Sequence, residues 1–120
     1  MNKITLLLIV VCFLMTVTAC GSPVETFEDT IDSMNDNGFL VNCSEEVNRG
    51  KTGNINAIGY LCNVDITNTT SFEDDQGNAL QYEDFVQGDF IRITLAKPQN
   101  ISETNRTFDA KEIVLLEAVE

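Results

Sequence analysis

A mainly β fold, a small closed or nearly closed barrel, is what this sequence predicts, and three observations predict it. From Gly38 onward apolar residues alternate with polar ones at period two, the mark of half-buried strands. Turn-forming clusters such as Asn48-Arg49-Gly50-Lys51-Thr52-Gly53-Asn54 and Asp74-Asp75-Gln76-Gly77-Asn78 separate the alternating runs. The runs are short and there are six of them, which suits a barrel more than a layered α/β fold.

The elements follow in order. The first strand covers residues 38–47, with Phe39, Val41, Cys43 and Val47 on one face. The second covers 58–66, with Ile58, Tyr60, Cys62, Val64 and Ile66 on one face. A brief third strand at 70–73 meets the Asp74–Asn78 turn, and a fourth starts near Ala79. Residues 82–87 make a helical turn closed by Gly88-Asp89, with Phe85 plugging one end of the barrel. A fifth strand spans 90–96, in which Phe90 and Arg92 alternate out of phase with Ile91, Ile93 and Leu95. After a polar loop, the last strand spans 107–116.

A hairpin about Thr52-Gly53 would set residues whose numbers sum to 105 face to face. Phe39 then meets Ile66, Val41 meets Val64, Val47 meets Ile58, and Cys43 meets Cys62. Agreement on the buried face normally fixes register. Opposed cysteines at a non-hydrogen-bonded position lie about 4.5 Å apart at Cα, near the lower end of the disulfide range. A Cys43–Cys62 bond closing this loop would stabilise the fold by about 3 kcal/mol in the chain-entropy model; two buried thiols are the other reading.

The N-terminus carries signals of another kind. Lys3 gives a short positive end, and residues 4–17 are apolar apart from two Thr. That run of 14 suits a signal-peptide core and falls short of the ~20 needed to span a bilayer. Val17-Thr18-Ala19-Cys20 has the lipobox pattern: a branched apolar residue, two small ones, then the cysteine that receives lipid. The residues divide into a lipoprotein signal peptide (1–19), a lipidated tether (20–37) and a β-barrel domain (38–120).

Ordinary secretion competes, because Val17-Thr18-Ala19 is also a small-x-small cleavage site, and an uncleaved anchor is a third reading. Cysteine arithmetic favours the lipoprotein. Cys12 leaves with the leader, and lipid on Cys20 leaves Cys43 and Cys62 as an even pair. The palmitate-type chains of a diacylglycerol anchor supply two acyl tails on one residue, which hold a protein where a single tail holds it marginally. The expected location is the cell membrane, lipid-anchored on its extracytoplasmic face.

Within the tether, Val24, Phe27, Ile31 and Met34 stand at spacings of three, four and three, one face of a short helix. Such a helix is marginal alone in water, so the segment is expected either to dock on the domain through Phe27 and Ile31 or to fray as a spacer lifting it from the membrane, with docking favoured.

Cleavage leaves 101 residues, enough for one small domain, with 19 acidic residues against six basic ones. This balance holds the domain off anionic lipid and opposes nucleic-acid binding, whose affinity comes from Lys and Arg on phosphates. There is no histidine, so the commonest general base is missing and Ser-His or Cys-His nucleophiles cannot be assembled. Two cysteines are too few for a thiolate zinc site. No enzyme and no cofactor is expected.

Three sets of residues remain as candidates. Glu73, Asp74 and Asp75 are hard-cation donors beside Gly77, although the EF-hand spacing fails because Phe72 falls where its first ligand belongs. A solvated hairpin turn is the plainer account. Four Asn-x-Ser/Thr sequons, at Asn42, Asn68, Asn100 and Asn105, are chance products behind a bacterial leader. Leu61, Asn63, Asp65 and Phe72 would lie on the outer face of the second and third strands, where a barrel can present a binding surface.

The lipobox, the opening Gly38-Phe39-Leu40-Val41, the Thr69–Gly77 hairpin, Asp84-Phe85-Val86-Gln87-Gly88-Asp89-Phe90-Ile91-Arg92-Ile93 and the closing Ala110-Lys111-Glu112-Ile113-Val114-Leu115 together carry a resemblance. The chain resembles small Bacillus-type lipoproteins with an uncharacterised OB-like domain. The resemblance spans most of residues 38–116, implies an OB-like barrel, and implies no activity. The expected function is a non-enzymatic binding or adaptor domain at the cell envelope, acting on a protein, peptide or wall component. A calcium- or glycan-responsive envelope module is the alternative.

Overall fold

A computed structural model describes residues 23–49 and 59–120. It is mainly β: strands β1 (Val24–Asn35), β2 (Gly38–Asn42), β3 (Leu61–Asp65), β4 (Ser71–Asp74), β5 (Phe90–Gln99) and β6 (Thr107–Glu117), with one turn of helix, α1 (Ser44–Val47), and a 3-10 turn at Tyr82–Asp84. The strand order is β3-β2-β1-β5-β6-β4. β3 also runs parallel to β6 over three residue pairs, Asn63 with Thr107 to Asp65 with Asp109. The sheet therefore bends back on itself without closing into a clear barrel.

β1 corrects the expected helical tether. Residues 24–35 are a 12-residue strand paired with β5 on one edge and β2 on the other. Val24, Phe27 and Ile31 are buried and Met34 packs against the core, so the residues at helical spacing do share a face. They share it because register shifts fall between Val24 and Thr26 and between Ile31 and Ser33. Between Ile31 and Ser33 β1 carries one extra residue against β2, which turns the odd Ile31–Met34 spacing into an even one; between Val24 and Thr26 two steps on β1 stand against five on β5, so the ladder is broken beside Val24. Thr26, Thr30 and Ile31 are β-branched and suit the strand. The packed domain thus begins at Val24, ahead of the expected boundary at residue 38.

The first expected strand also ends early. β2 stops at Asn42, whose Oδ1 accepts bonds from Ser44 N–H at 3.0 Å and from Ser44 Oγ at 2.7 Å. Side-chain bonds of this kind offer the backbone a turn in place of a ladder. The α1 turn then returns Val47 to the core by another route.

The β2–β3 register differs from expectation by two residues. Phe39 faces Val64, Val41 faces Cys62 and Asn42 faces Leu61, so opposed numbers sum to 103. A two-residue slip keeps every side chain on its face, and apolar agreement cannot detect it. Cys43 lies past the ladder, its N–H bonded to the Tyr60 carbonyl at 2.9 Å. The two cysteines therefore meet diagonally, 5.8 Å apart at Cα, and are joined in a disulfide that is fully buried. The proposed turn at Thr52-Gly53 and the partner Ile58 lie outside the described residues.

β4 is as expected within one residue, and the Asp74–Asn78 turn follows it. The fourth expected strand is reduced to a single bridge between Glu73 and Ala79. β5 and β6 share the core with β1, β2 and β3. Ile91, Ile93 and Ile113 are fully buried with Phe39, Val41 and Ile31. A register shift opposite Thr94 and Leu95 explains why Ala110 and Ile113, an odd spacing, both point inward. Phe85 is buried against Phe39 and Phe72, with ring centroids 5.7 Å apart in each case.

The strand directions give the molecule two ends. At one lie the starts of β1, β3 and β6, the ends of β2 and β5, and α1. At the other lie the ends of β1, β3, β4 and β6 and the starts of β2 and β5. These are called below the Val24 end and the Asn35 end.

Candidate functional site

The expected lipidation residue, Cys20, lies outside the described residues. No described helix is long and apolar enough to cross a membrane.

Of the four residues expected to form a binding surface, the structure groups three. Leu61, Asn63 and Asp65 alternate outward along β3 and are half-buried. Arg106 joins them: its Nη1 donates to the Leu61 carbonyl at 2.9 Å and its Nε to the Glu103 carbonyl at 3.0 Å. Its guanidinium stands 5.5 Å from the centroid of the Tyr60 ring, a cation–π distance. Asn63 Nδ2 reaches Thr107 Oγ1 at 3.5 Å. The result is a mixed surface of one aromatic, one guanidinium and short polar groups. Near it, a shallow cleft of about 280 Å³ is lined by Lys97, Gln99, Thr107 and Asp109 among others.

Phe72 belongs elsewhere. It packs at 6.5 Å from Tyr82 and 5.7 Å from Phe85, in the aromatic group that abuts the core. Its neighbour in that group, Tyr82, donates its hydroxyl to the carbonyl of Asn35 or Gly38, at 2.8 and 2.9 Å, and burial pushes its pKa up.

Glu73, Asp74 and Asp75 do not form a cation cage. Asp74 Oδ1 accepts from Gln76 and Asn78 N–H, both at 2.9 Å, and Oδ2 accepts from Asn78 Nδ2 at 3.0 Å. These bonds, led by the Asn78 side chain, hold its carboxyl below the usual carboxylate range. Both Asp74 oxygens are thus engaged within the turn. Among the described residues no three Asp, Glu, Cys or His side chains are placed to hold a metal ion.

Two carboxyl groups escaped sequence reasoning. Asp89 is 1% exposed, and its oxygens accept bonds from Val86 N–H and Val119 N–H, each at 2.9 Å. The signal for it was available in Gly88-Asp89, since Gly88 takes φ +96°, a conformation suited to glycine, and aims Asp89 inward. Glu46, on α1, is 8% exposed. Burial, then the negative charges of Asp29 and Glu45, push its pKa up to about 6, with Arg49 opposing. Asp29, on β1, is also raised, chiefly by burial. Nothing in the order Ser44-Glu45-Glu46-Val47 distinguishes the buried glutamate from the exposed one.

No protein-family model, curated protein or solved structure matches this chain.

Proposed function

We propose that this chain is a bacterial lipoprotein, cleaved before Cys20 and anchored by lipid on the outer face of the cell membrane, where its β domain acts as a non-enzymatic binding or adaptor module. The observation that carries the reading is the leader: Lys3, an apolar run of 14 residues and Val17-Thr18-Ala19-Cys20 in the order lipoprotein export requires. The disulfide supports it, because a buried Cys43–Cys62 bond belongs to an oxidising compartment and leaves Cys20 as the odd cysteine of the mature chain.

An OB-like identity for the domain rests on the pairings. β1 pairs with β2, β2 with β3, β3 in parallel with β6, β6 with β5, and β5 with β1. That circuit of five partners is the connectivity an OB-like barrel has, with Phe85 at one end as its plug. The binding face would be the outer surface of β3 with Tyr60 and Arg106. Its partner is a protein, peptide or wall component of the envelope.

Metabolic labelling with a palmitate analogue tests the anchor. The label is expected on the full-length protein and absent from a Cys20→Ala variant. Equal labelling of both, or of neither, would remove the proposal.

A further inference from the structure

We infer that the Val24 end of the domain lies against the membrane surface, with Arg49 and Lys97 at anionic lipid headgroups, and that the Asn35 end is directed away from the bilayer. This deepens the lipid-anchor reading and rests on it.

The leash is short. β1 begins at Val24, four residues beyond Cys20. Four residues reach at most about 14 Å even when fully extended. A domain on such a leash has its Val24 end close to the headgroups, whereas β5 alone runs ten residues, about 33 Å of strand, toward the other end.

Charge is distributed along the same axis. Among the described residues, the segments 62–91 and 112–120, which build most of the Asn35 end, contain no Lys or Arg. They carry Asp65, Glu73, Asp74, Asp75, Glu83, Asp84, Glu117 and Glu120, and the β1–β2 turn adds Asp36. The Val24 end holds Arg49 after α1, Lys97 near the end of β5, and Arg106 before β6. Arg106 is committed to the carbonyls of Leu61 and Glu103. Arg49 and Lys97 are exposed. Arg49 stands with Pro23, Val24 and Pro98 around a groove of about 450 Å³ at the point where the chain joins the sheet. Guanidinium groups match phosphate geometry well.

Glu25, Glu45, Glu103 and Asp109 also lie at this end, so it is not positive overall. The orientation comes from the difference between the ends. An anionic surface potential decays over about 8 Å in physiological salt, so it acts on the end within reach of the leash. Arg92, opposite Val114, is the basic residue nearest the Asn35 end and is paired with Glu28 at 2.9 Å, so any tilt that brings that end down would press a predominantly acidic surface against like charge. The orientation leaves the Asn35 end open to the space outside the cell.

The test uses the mature chain, residues 20–120, coupled through Cys20 to a maleimide lipid. With Cys43 and Cys62 oxidised, Cys20 is its one free thiol. The lipid sits in nanodiscs of phosphatidylcholine and phosphatidylglycerol doped with headgroup nitroxide. Amide NMR signals of Arg49, Lys97 and Asn105 should broaden at least threefold more than those of Asp36, Asp75 and Glu83. Equal broadening at both ends, or stronger broadening at the Asn35 end, would overturn the orientation. In an Arg49→Glu/Lys97→Glu variant the contrast should fall at least twofold on anionic nanodiscs; an unchanged contrast would overturn the part assigned to these two side chains. Because the coupling is chemical, the result can be read even if palmitate labelling shows that the chain is not lipidated in cells.

Discussion

Asp89 and Val119, thirty residues apart, are joined by a hydrogen bond of 2.9 Å from the Val119 N–H to the Asp89 carboxylate. The other carboxylate oxygen takes the Val86 N–H, and the Asp89 carbonyl takes the Ile31 N–H at 2.9 Å. Gly88 N–H donates to the Ile31 carbonyl at the same distance. One buried residue thus ties β1, the turn that carries Phe85, and the chain's last residues to the start of β5.

Asp89→Ala should lower stability by about 2–4 kcal/mol, because it leaves two N–H groups without the charged acceptor they now share. Asp89→Asn, which keeps one good acceptor oxygen, should lose less. Urea midpoints of the three proteins check this, and equal midpoints for Asp89→Ala and the natural chain would refute it.

The disulfide should contribute about 3 kcal/mol, as the chain-entropy model gives for a loop of this length. A Cys43→Ala/Cys62→Ala variant should unfold at a correspondingly lower urea concentration. Both sulfurs are buried, so native protein should resist alkylation under non-reducing conditions and should take up two labels after reduction and unfolding.

Glu46 and Asp29 make stability depend on pH in an uncommon direction for carboxylates. Their pKa values are raised in the fold, so folding favours their protonated forms. Their contribution is fully present below the unfolded value, 4.5 for Glu46, and is lost as pH rises through about 6. The domain should be more stable at pH 5 than at pH 7.5, by about 1 kcal/mol or less from Glu46, whose carboxyl solvent still partly screens. Glu46→Gln should flatten the difference and stabilise the protein at neutral pH. Unfolding curves across this range provide the measurement, and a steady rise in stability with pH would contradict it.

Gly38 should tolerate no side chain. It takes φ +155°, and a Cβ there would collide with the Val64 carbonyl oxygen across the β2–β3 ladder. Gly38→Ala should cost at least about 2 kcal/mol, because rigid backbone of the paired strand has to move. Thermal unfolding of the variant is the check.

These residues also show what the sequence could and could not reveal. β5 was legible because Ile91, Ile93 and Leu95 alternate at period two on one buried face, and β6 because apolar residues run through it although a register shift breaks its alternation. β1 was not, because two register shifts disguise its period, and a bulge leaves no residue-type signature of its own. The cysteine pair was legible although the register was not, since a slip of two keeps both sulfurs on the inner face. Of the candidate surface, Leu61, Asn63 and Asp65 follow from strand period alone. Arg106 and Tyr60 join them only through the fold, which brings the start of β6 beside β3.

The central claim is that this β domain is held outside the membrane by lipid on Cys20. Intact-mass spectrometry of the protein extracted from membranes tests it most directly. The account predicts a chain that begins at Cys20, carries a diacylglycerol adduct there, and is lighter by two hydrogens for the Cys43–Cys62 bond. A chain that retains its first 19 residues, or one recovered from the medium with an unmodified Cys20, would contradict it.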